Sequence, residues 1–536
     1  MAPSTLPSTA SALLDLPTEL QLDIIDLVAD EDFNFDDLVP LALSCKHFND
    51  LCELKSRREF RTITIREFRH TYSVFDRLLD ILRTPRLAGY VRRVELNMQT
   101  KVGTPFINEP PTWERTDLPD SDVQLLRRAV NKAGFEGQQA RDVMDMLMQR
   151  SAYTIMGVSN HTYRTALERG NYIGRAIGTI LLSECRNLEY ACIGAPPASH
   201  LELNGHRPRQ PHEYAENFPL NRIMKAIHEA PTTCGFMSKV RTIELFSRNA
   251  ELCARRRVYD QIDIIGRMEI FNGLPALKTI VVEGAAWNQT IPRFTTTTNV
   301  ATGISIQDSL LGSDVLAGVI FSIAKLEDFT YHTGNRIQNE SWYDENELNP
   351  CTLFKFLLST RHTLKRLDLN CDAQIHTNPW IDYRGIQTSL GDYRDELMRT
   401  SGPYRRDRTK LRWIFALEGC LADFTALTKL TIGADTLFLF LKGSNSPFST
   451  MNEDTPPSDM VRALPPKLKH LKIVGRFAPF RGRNARVHAM IERMASYLRA
   501  TRPDIILEGI FAHVRLRGVR GMRALPADVR EQIIGP

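Results

Sequence analysis

The chain has 536 residues, of which 43% are apolar and 24% charged, and its net charge is +5. That length and balance fit a small module joined to a larger globular body, and exclude a collagen-like or low-complexity chain. Nine cysteines are scattered with no C-x-x-C pair, which excludes a disulfide scaffold and suits a reducing compartment, cytosol or nucleus.

The charge is unevenly spread. Eleven acidic residues between Asp15 and Leu54 face Lys46 alone, whereas Arg476 to Pro536 holds twelve arginines and five acids. The basic tail suits a solvated face or an acidic partner, and nucleic acid is not the expected partner. The start MAPSTLPSTASALLDLP lacks a basic residue and a long apolar run, so no signal or transit peptide is expected. The longest apolar run, Val315 to Ala324, is half a membrane span, so no membrane association is expected.

Residues 1–11 are rich in Ser, Thr, Pro and Ala and are expected to be disordered. Three short helices are expected within residues 12–55. Pro17 suits the first helical position, because its fixed φ matches a helix start, and Glu19 suits the positive helix end. Leu20, Ile24, Leu27 and Val28 recur at helical spacing, and Ile25 widens that face. Asp36 or Asp37 is the expected cap of a second helix, with Pro40 in its first turn. Lys46, Phe48 and Leu51 continue into a third. Three helices in under forty residues cannot bury this apolar surface among themselves, so the rest of the chain or another protein must cover it.

The stretch Leu16–Leu51, LPTELQLDIIDLVADEDFNFDDLVPLALSCKHFNDL, resembles an F-box, the module that binds the Skp-family adaptor of SCF ubiquitin ligases. The opening Leu-Pro-x-Glu-Leu is matched by Leu16, Pro17, Glu19 and Leu20, the apolar pair by Ile24 and Ile25, and the next anchor by Val28. The later run is matched by Leu38, Leu41, Cys45, Lys46 and Phe48. Phe48 stands where many members have Trp, and the Asp30–Asn34 connection is a few residues longer than in the shortest members. The match covers about a tenth of the chain. The resemblance implies that these twelve residues bind the adaptor and, through it, a cullin.

After this unit, Phe60–Ile65 alternates like a strand and Tyr72–Arg83 reads as a helix. A phrase then recurs: apolar, two residues, apolar, one residue, apolar. It appears as Val91/Val94/Leu96, Leu188/Ala191/Ile193, Val240/Ile243/Leu245, Leu277/Ile280/Val282, Leu326/Phe329/Tyr331, Leu364/Leu367/Leu369, Leu427/Leu430/Ile432 and Leu468/Leu471/Ile473. Each copy supplies a short strand whose apolar face no single unit can bury, so neighbours must stack. The phrase resembles the leucine-rich-repeat core. Successive copies begin 97, 52, 37, 49, 38, 63 and 41 residues apart, so the repeat is irregular.

The expected fold is therefore α/β: a small three-helix unit, then an irregular leucine-rich-repeat-like solenoid over residues 56–520, with an ordinary α/β domain as the alternative. Ser121–Ala133, Gln138–Arg150 and Tyr163–Leu182 read as a helical insert at about 119–184, with Gly134 ending its first helix. Residues 196–220, 372–410 and 443–460 read as flexible loops, and 521–536 as a C-terminal helix.

No nucleotide, hydrolase or zinc-protease signature is present. His200, His206 and His212 lie in a Pro-rich loop, and solvated histidines are the expected reading; no metal, cofactor or catalytic residue is assigned. Residues between the inward positions of the phrase face outward on one sheet surface. Of these, Glu95, Glu244, Phe246, His332, Arg366, Asp368, Asn370, Lys429 and Lys472 are the candidate contacts for an unknown target protein. The function expected is that of a non-catalytic substrate receptor of an SCF-type ligase; the alternative is a scaffold acting outside a ligase.

Overall fold

The structure, a computed structural model, describes residues 13–30, 38–65, 70–96, 118–148, 163–194, 235–246, 259–262, 264–265, 268, 271–286, 299–334, 348, 350–375, 413–414, 416–443, 455–474 and 483–509. The N-terminal part of the described chain carries the helices α1 (Thr18–Asp30), α2 (Leu38–Ser44), α3 (Lys46–Cys52) and α4 (Leu54–Phe60). Pro17 lies one residue ahead of α1, and its carbonyl accepts the first helical hydrogen bond from Gln21 N–H at 3.0 Å. The proposed caps Asp36 and Asp37 lie outside the described residues. Ile25, Leu38, Ala42, Phe48 and Cys52 form a core separate from that of the rest of the chain.

The remainder is α/β, built on an open, wholly parallel sheet of eleven strands. The strands are β1 (Thr62–Ile65), β2 (Arg93–Leu96), β3 (Tyr190–Gly194), β4 (Thr242–Phe246), β5 (Asp260–Gln261), β6 (Thr279–Glu283), β7 (Ala285–Ala286), β8 (Gly303–Ser309), β9 (Asp328–Thr333), β10 (Arg366–Asn370), β11 (Lys429–Gly433), β12 (His470–Val474) and β13 (Ile506–Glu508). Strands β5 and β7 pair apart; every other strand lies beside its predecessor in the chain. Parallel neighbours require a return connection, and among the described residues helices supply it between β1 and β3 and from β8 onward. These are α5 (His70–Arg83), α6 (Asp120–Lys132), α7 (Gly137–Leu147), α8 (Tyr163–Glu184), α9 (Ser313–Phe321), α10 (Pro350–Leu358), α11 (Asp372–Ile375), α12 (Ala434–Lys442), α13 (Pro457–Arg462) and α14 (Arg483–Thr501).

Register explains the recurring phrase. Its second position forms one continuous row across the sheet: Ile63, Val94, Ala191, Ile243, Ile280, Ile304, Phe329, Leu367, Leu430, Leu471, Leu507. Its third position forms another from Ile65 to Ile473, and apart from the terminal Leu507 both rows are buried. The helices pack on this side, so one hydrophobic core runs the length of the sheet. Period-2 alternation then turns the intervening strand residues to the other face.

The structure adds copies of the phrase. Phe60/Ile63/Ile65 precedes those recognised, and Ala301/Ile304/Ile306 divides the interval between Leu277 and Leu326 into steps of 24 and 25 residues. The run Val315–Ala324 lies largely in α9, whose residues other than Asp314 are buried, and no helix among the described residues is long and apolar enough to cross a membrane. Gly134, at φ 84°, follows α6 as expected.

The expected loop at 372–410 is corrected at its start. Residues 372–375 are helical, and Asp372 is buried because it caps α12. Likewise 443–460 ends in α13, where Pro457 opens a helical turn. Residues 1–11, 196–220, 521–536 and the histidines at 200, 206 and 212 lie outside the described residues.

Candidate docking surfaces

Two surfaces collect the candidate residues. On α1 the apolar residues divide into two stripes about 100° apart, the angle between adjacent residues of a helix. Gln21, Ile25 and Val28 turn inward; Ile25 is 0% exposed. Leu20, Ile24 and Leu27 form the second stripe, where Leu20 is 48% and Leu27 68% exposed. Leu14 and Leu43, 46% and 79% exposed, extend the apolar surface of the unit.

A polar tie holds the unit's entry. Gln21 is buried, and its Nε2 donates to the carbonyls of Leu13, Leu14 and Leu16 at 3.0, 3.2 and 2.9 Å. Its Oε1 lies 2.7 Å from His47 Nε2 on α3. One amide thus fixes the turn before α1 and links it to α3. Sequence reading passed over both residues; the available signal was a glutamine standing in an otherwise apolar i, i+4, i+7 stripe.

Of the twelve residues proposed for docking, Ile25, Leu38 and Phe48 fill the unit's core. Leu16, Ile24, Val28, Leu41 and Cys45 are half-buried, and Pro17, Glu19, Leu20 and Lys46 are exposed. The core residues therefore shape the surface, and the exposed ones are available to touch a partner.

The unit is tied to the sheet through α4. Glu53, at φ 43°, ends α3, and its carboxylate accepts from Tyr90 Oη at 2.8 Å and from Arg86. Arg57 lies over the Tyr90 ring at 4.4 Å and donates from Nε to Cys52 O at 2.9 Å. Burial, then the bond to Glu53, pushes the Tyr90 phenol up to about 12.

The second surface is the outward sheet face. Register brings Glu95, Glu244, Asp368 and Lys472 into its central row, and Arg366 and Lys429 into the row on the N-terminal side. Phe246, His332 and Asn370 sit one position beyond the central row, His332 opposite Asn370. Glu95 is buried, accepting from Thr64 Oγ1 at 3.2 Å and pairing with Arg93 at 2.6 Å. Arg93 in turn lies 3.7 Å over the Tyr190 ring. His332 Nε2 lies 2.7 Å from Asp368 Oδ1, and Arg366 pairs with Asp328 at 2.9 Å. Asn370, Lys429 and Lys472 are exposed, so the face is most accessible from β10 to β12.

Nothing among the described residues groups three metal-ligating side chains. Burial pushes the thiols of Cys351 and Cys371 up to about 12, which keeps them protonated at neutral pH. Among the described residues, both surfaces leave polar and apolar side chains exposed, Leu20 and Leu27 on one and Asn370, Lys429 and Lys472 on the other. No family model matches the chain, and no curated protein matches it.

Proposed function

We propose that the N-terminal unit is an F-box that docks on a Skp-family adaptor, and that the sheet and its helices are an irregular leucine-rich-repeat solenoid presenting a target protein on the outward face. The chain would then be the substrate receptor of an SCF-type ubiquitin ligase, joined to a cullin through the adaptor. One observation carries this reading: the unit whose sequence resembles an F-box keeps Leu20 and Leu27 in solvent while Ile25 fills its own core. Covering such side chains stabilises a complex by about 25 cal/mol per Å² of apolar surface. Chain-order adjacency of parallel strands, with steps of 24 and 25 residues around Ala301, supports the solenoid. The receptor does no bond chemistry; it raises the local concentration of target lysines near the conjugating enzyme.

The test is capture of the full chain by its own Skp-family adaptor, beside a Leu20→Glu/Leu27→Glu variant. Binding by the parent that the variant loses, with its fold intact by circular dichroism, is the expected result. A folded parent that captures no adaptor overturns the reading and leaves a non-catalytic scaffold. Truncating one anchor, such as Leu20→Ala, should cost about 1–3 kcal/mol of binding.

A further inference from the structure

One residue ahead of each strand, the backbone ladder continues for a further rung. Arg241 N–H donates to Glu189 O at 2.8 Å, and Lys278 N–H donates to Arg241 O at 2.8 Å. These positions form the N-terminal edge of the sheet, with the loops that feed the strands. Beside β3, β4 and β6 this edge carries Arg186, Lys239, Arg241 and Lys278, all exposed. Among the described residues none of the four has a carboxylate partner. Lys239 Nζ donates to the amide oxygen of Asn187 at 2.9 Å, and Glu189 faces Arg92 at 3.7 Å.

Arg241 and Lys278 stand on adjacent rungs, about 4.8 Å apart, where like charges repel. A helix C-terminus offsets roughly half a charge. Among the described helices, α8 alone ends beside these strands, and Glu189, on the rung on the other side of Arg241, faces Arg92, so among the described residues the cluster keeps an excess of positive charge. An apolar neighbour adjoins it. Val300 is half exposed on the loop that feeds β8, the next strand in the sheet. That loop is pinned, because Asn299 N–H donates to Ser322 O at 2.6 Å and Asn299 Nδ2 to Met268 O at 2.7 Å.

Nucleic acid would call for aromatic rings on which bases stack. Of the aromatic rings on these loops, Phe236 is half-buried and packed against the core and Phe271 is buried, and no exposed aromatic stands among their described residues. We propose that this edge binds an acidic polypeptide segment carrying an apolar side chain, with its carboxylates against Arg241 and Lys278 and its apolar group on Val300. The inference does not rest on the docking unit.

The experiment is fluorescence anisotropy of the full chain at low salt with a labelled Glu/Asp peptide carrying one central Leu. A single-stranded oligonucleotide of equal charge is titrated in parallel. Binding should weaken at least tenfold in Arg241→Glu/Lys278→Glu, fall steeply with salt, and be unchanged in the control Arg128→Glu on the exposed side of α6. Exchanging the peptide's Leu for Ser should weaken binding several-fold, and that loss should vanish in Val300→Ser. All substituted side chains are exposed, so melting should stay at the parent value; Arg241→Ala/Lys278→Ala repeats the test without charge reversal should the first variant misfold. No peptide binding, equal binding by the alanine pair, or tighter binding of the oligonucleotide would overturn the proposal.

Discussion

Removing the Asp372 carboxylate should loosen α12, although Asp372 lies 64 residues ahead of Thr436, its chief partner. Asp372 Oδ1 accepts from Thr436 Oγ1 at 2.7 Å and from Thr436 N–H at 3.2 Å, and Oδ2 accepts from Asp435 N–H at 3.1 Å. The residue before α12 is Gly433, which has no side chain to cap its own helix. A Cβ there would come within 2.1 Å of Asp372 Oδ1, so the glycine makes room for a cap delivered from α11, the short helix that follows the neighbouring strand β10. Loss of a helix cap costs about 0.5–2 kcal/mol. Each donor left buried without a partner adds about 1–3 kcal/mol, and Thr436 is fully buried. Burial also pushes the Asp372 carboxyl up, which offsets part of the gain. Asp372→Ala should therefore destabilise the region by about 2–4 kcal/mol, and Asp372→Asn, isosteric and uncharged, by roughly half as much. Hydrogen exchange of a peptide spanning residues 429–443, beside a urea midpoint for the full chain, reads both. An alanine variant within about 0.5 kcal/mol of the parent, or an asparagine variant worse than alanine, would refute the cap.

The two stripes of α1 should separate folding from docking. Ile25→Ala should destabilise the N-terminal unit by about 2–4 kcal/mol, whereas Leu27→Ala should leave its exchange protection within about 0.5 kcal/mol of the parent. Equal effects would mean that the outer stripe is covered within the chain. At the joint, the folded state raises the Tyr90 phenol to about 12, above its ordinary value of about 10. A raised value favours the neutral form in the fold, so this stabilisation is whole below about pH 10 and is lost as pH rises through about 12. Tyr90→Phe should flatten that alkaline decline and remove one late-titrating tyrosine from the absorbance at high pH; an unchanged titration would count against the Glu53 contact.

Much of the sheet was legible because the second and third positions of the phrase are both strand residues facing one core. Leu367 and Leu369, or Leu471 and Ile473, announce themselves by period 2. Strand β8 was hidden because its phrase opens on Ala301, a small residue that gives little hydrophobic signal. Strand β1 was found as a strand, yet its kinship with the others was missed because Phe60 belongs to the preceding helix. In α1 the sequence merges the two stripes, since their arcs adjoin and both carry aliphatic side chains, Ile25 and Val28 on one and Leu20, Ile24 and Leu27 on the other. Packing alone decides that Ile25 goes inside. The ties of Gln21 to His47 and of Asp372 to Thr436 span 26 and 64 residues and leave no local pattern.

The joint at Glu53 matters more than its size suggests. A non-glycine residue in the left-handed region carries strain of order 1–3 kcal/mol and persists only where its surroundings hold it. Here Tyr90 and Arg86 hold its carboxylate, while Arg57 packs on the same ring. These groups come from both sides of the boundary between the unit's core and that of the sheet, so they set the angle between the two. Beyond β1 the sheet runs ten strand spacings to β13, roughly 48 Å at 4.8 Å each. A small rotation at the joint is multiplied along that lever: 10° moves the far strands by about 8 Å. A ligand on Asn370, Lys429 and Lys472 near that far end is presented at a fixed place only if the joint is stiff. Under the proposed function, docking by the N-terminal unit and presentation by the outward face would therefore be coupled through Glu53 and Tyr90, two residues outside both candidate surfaces.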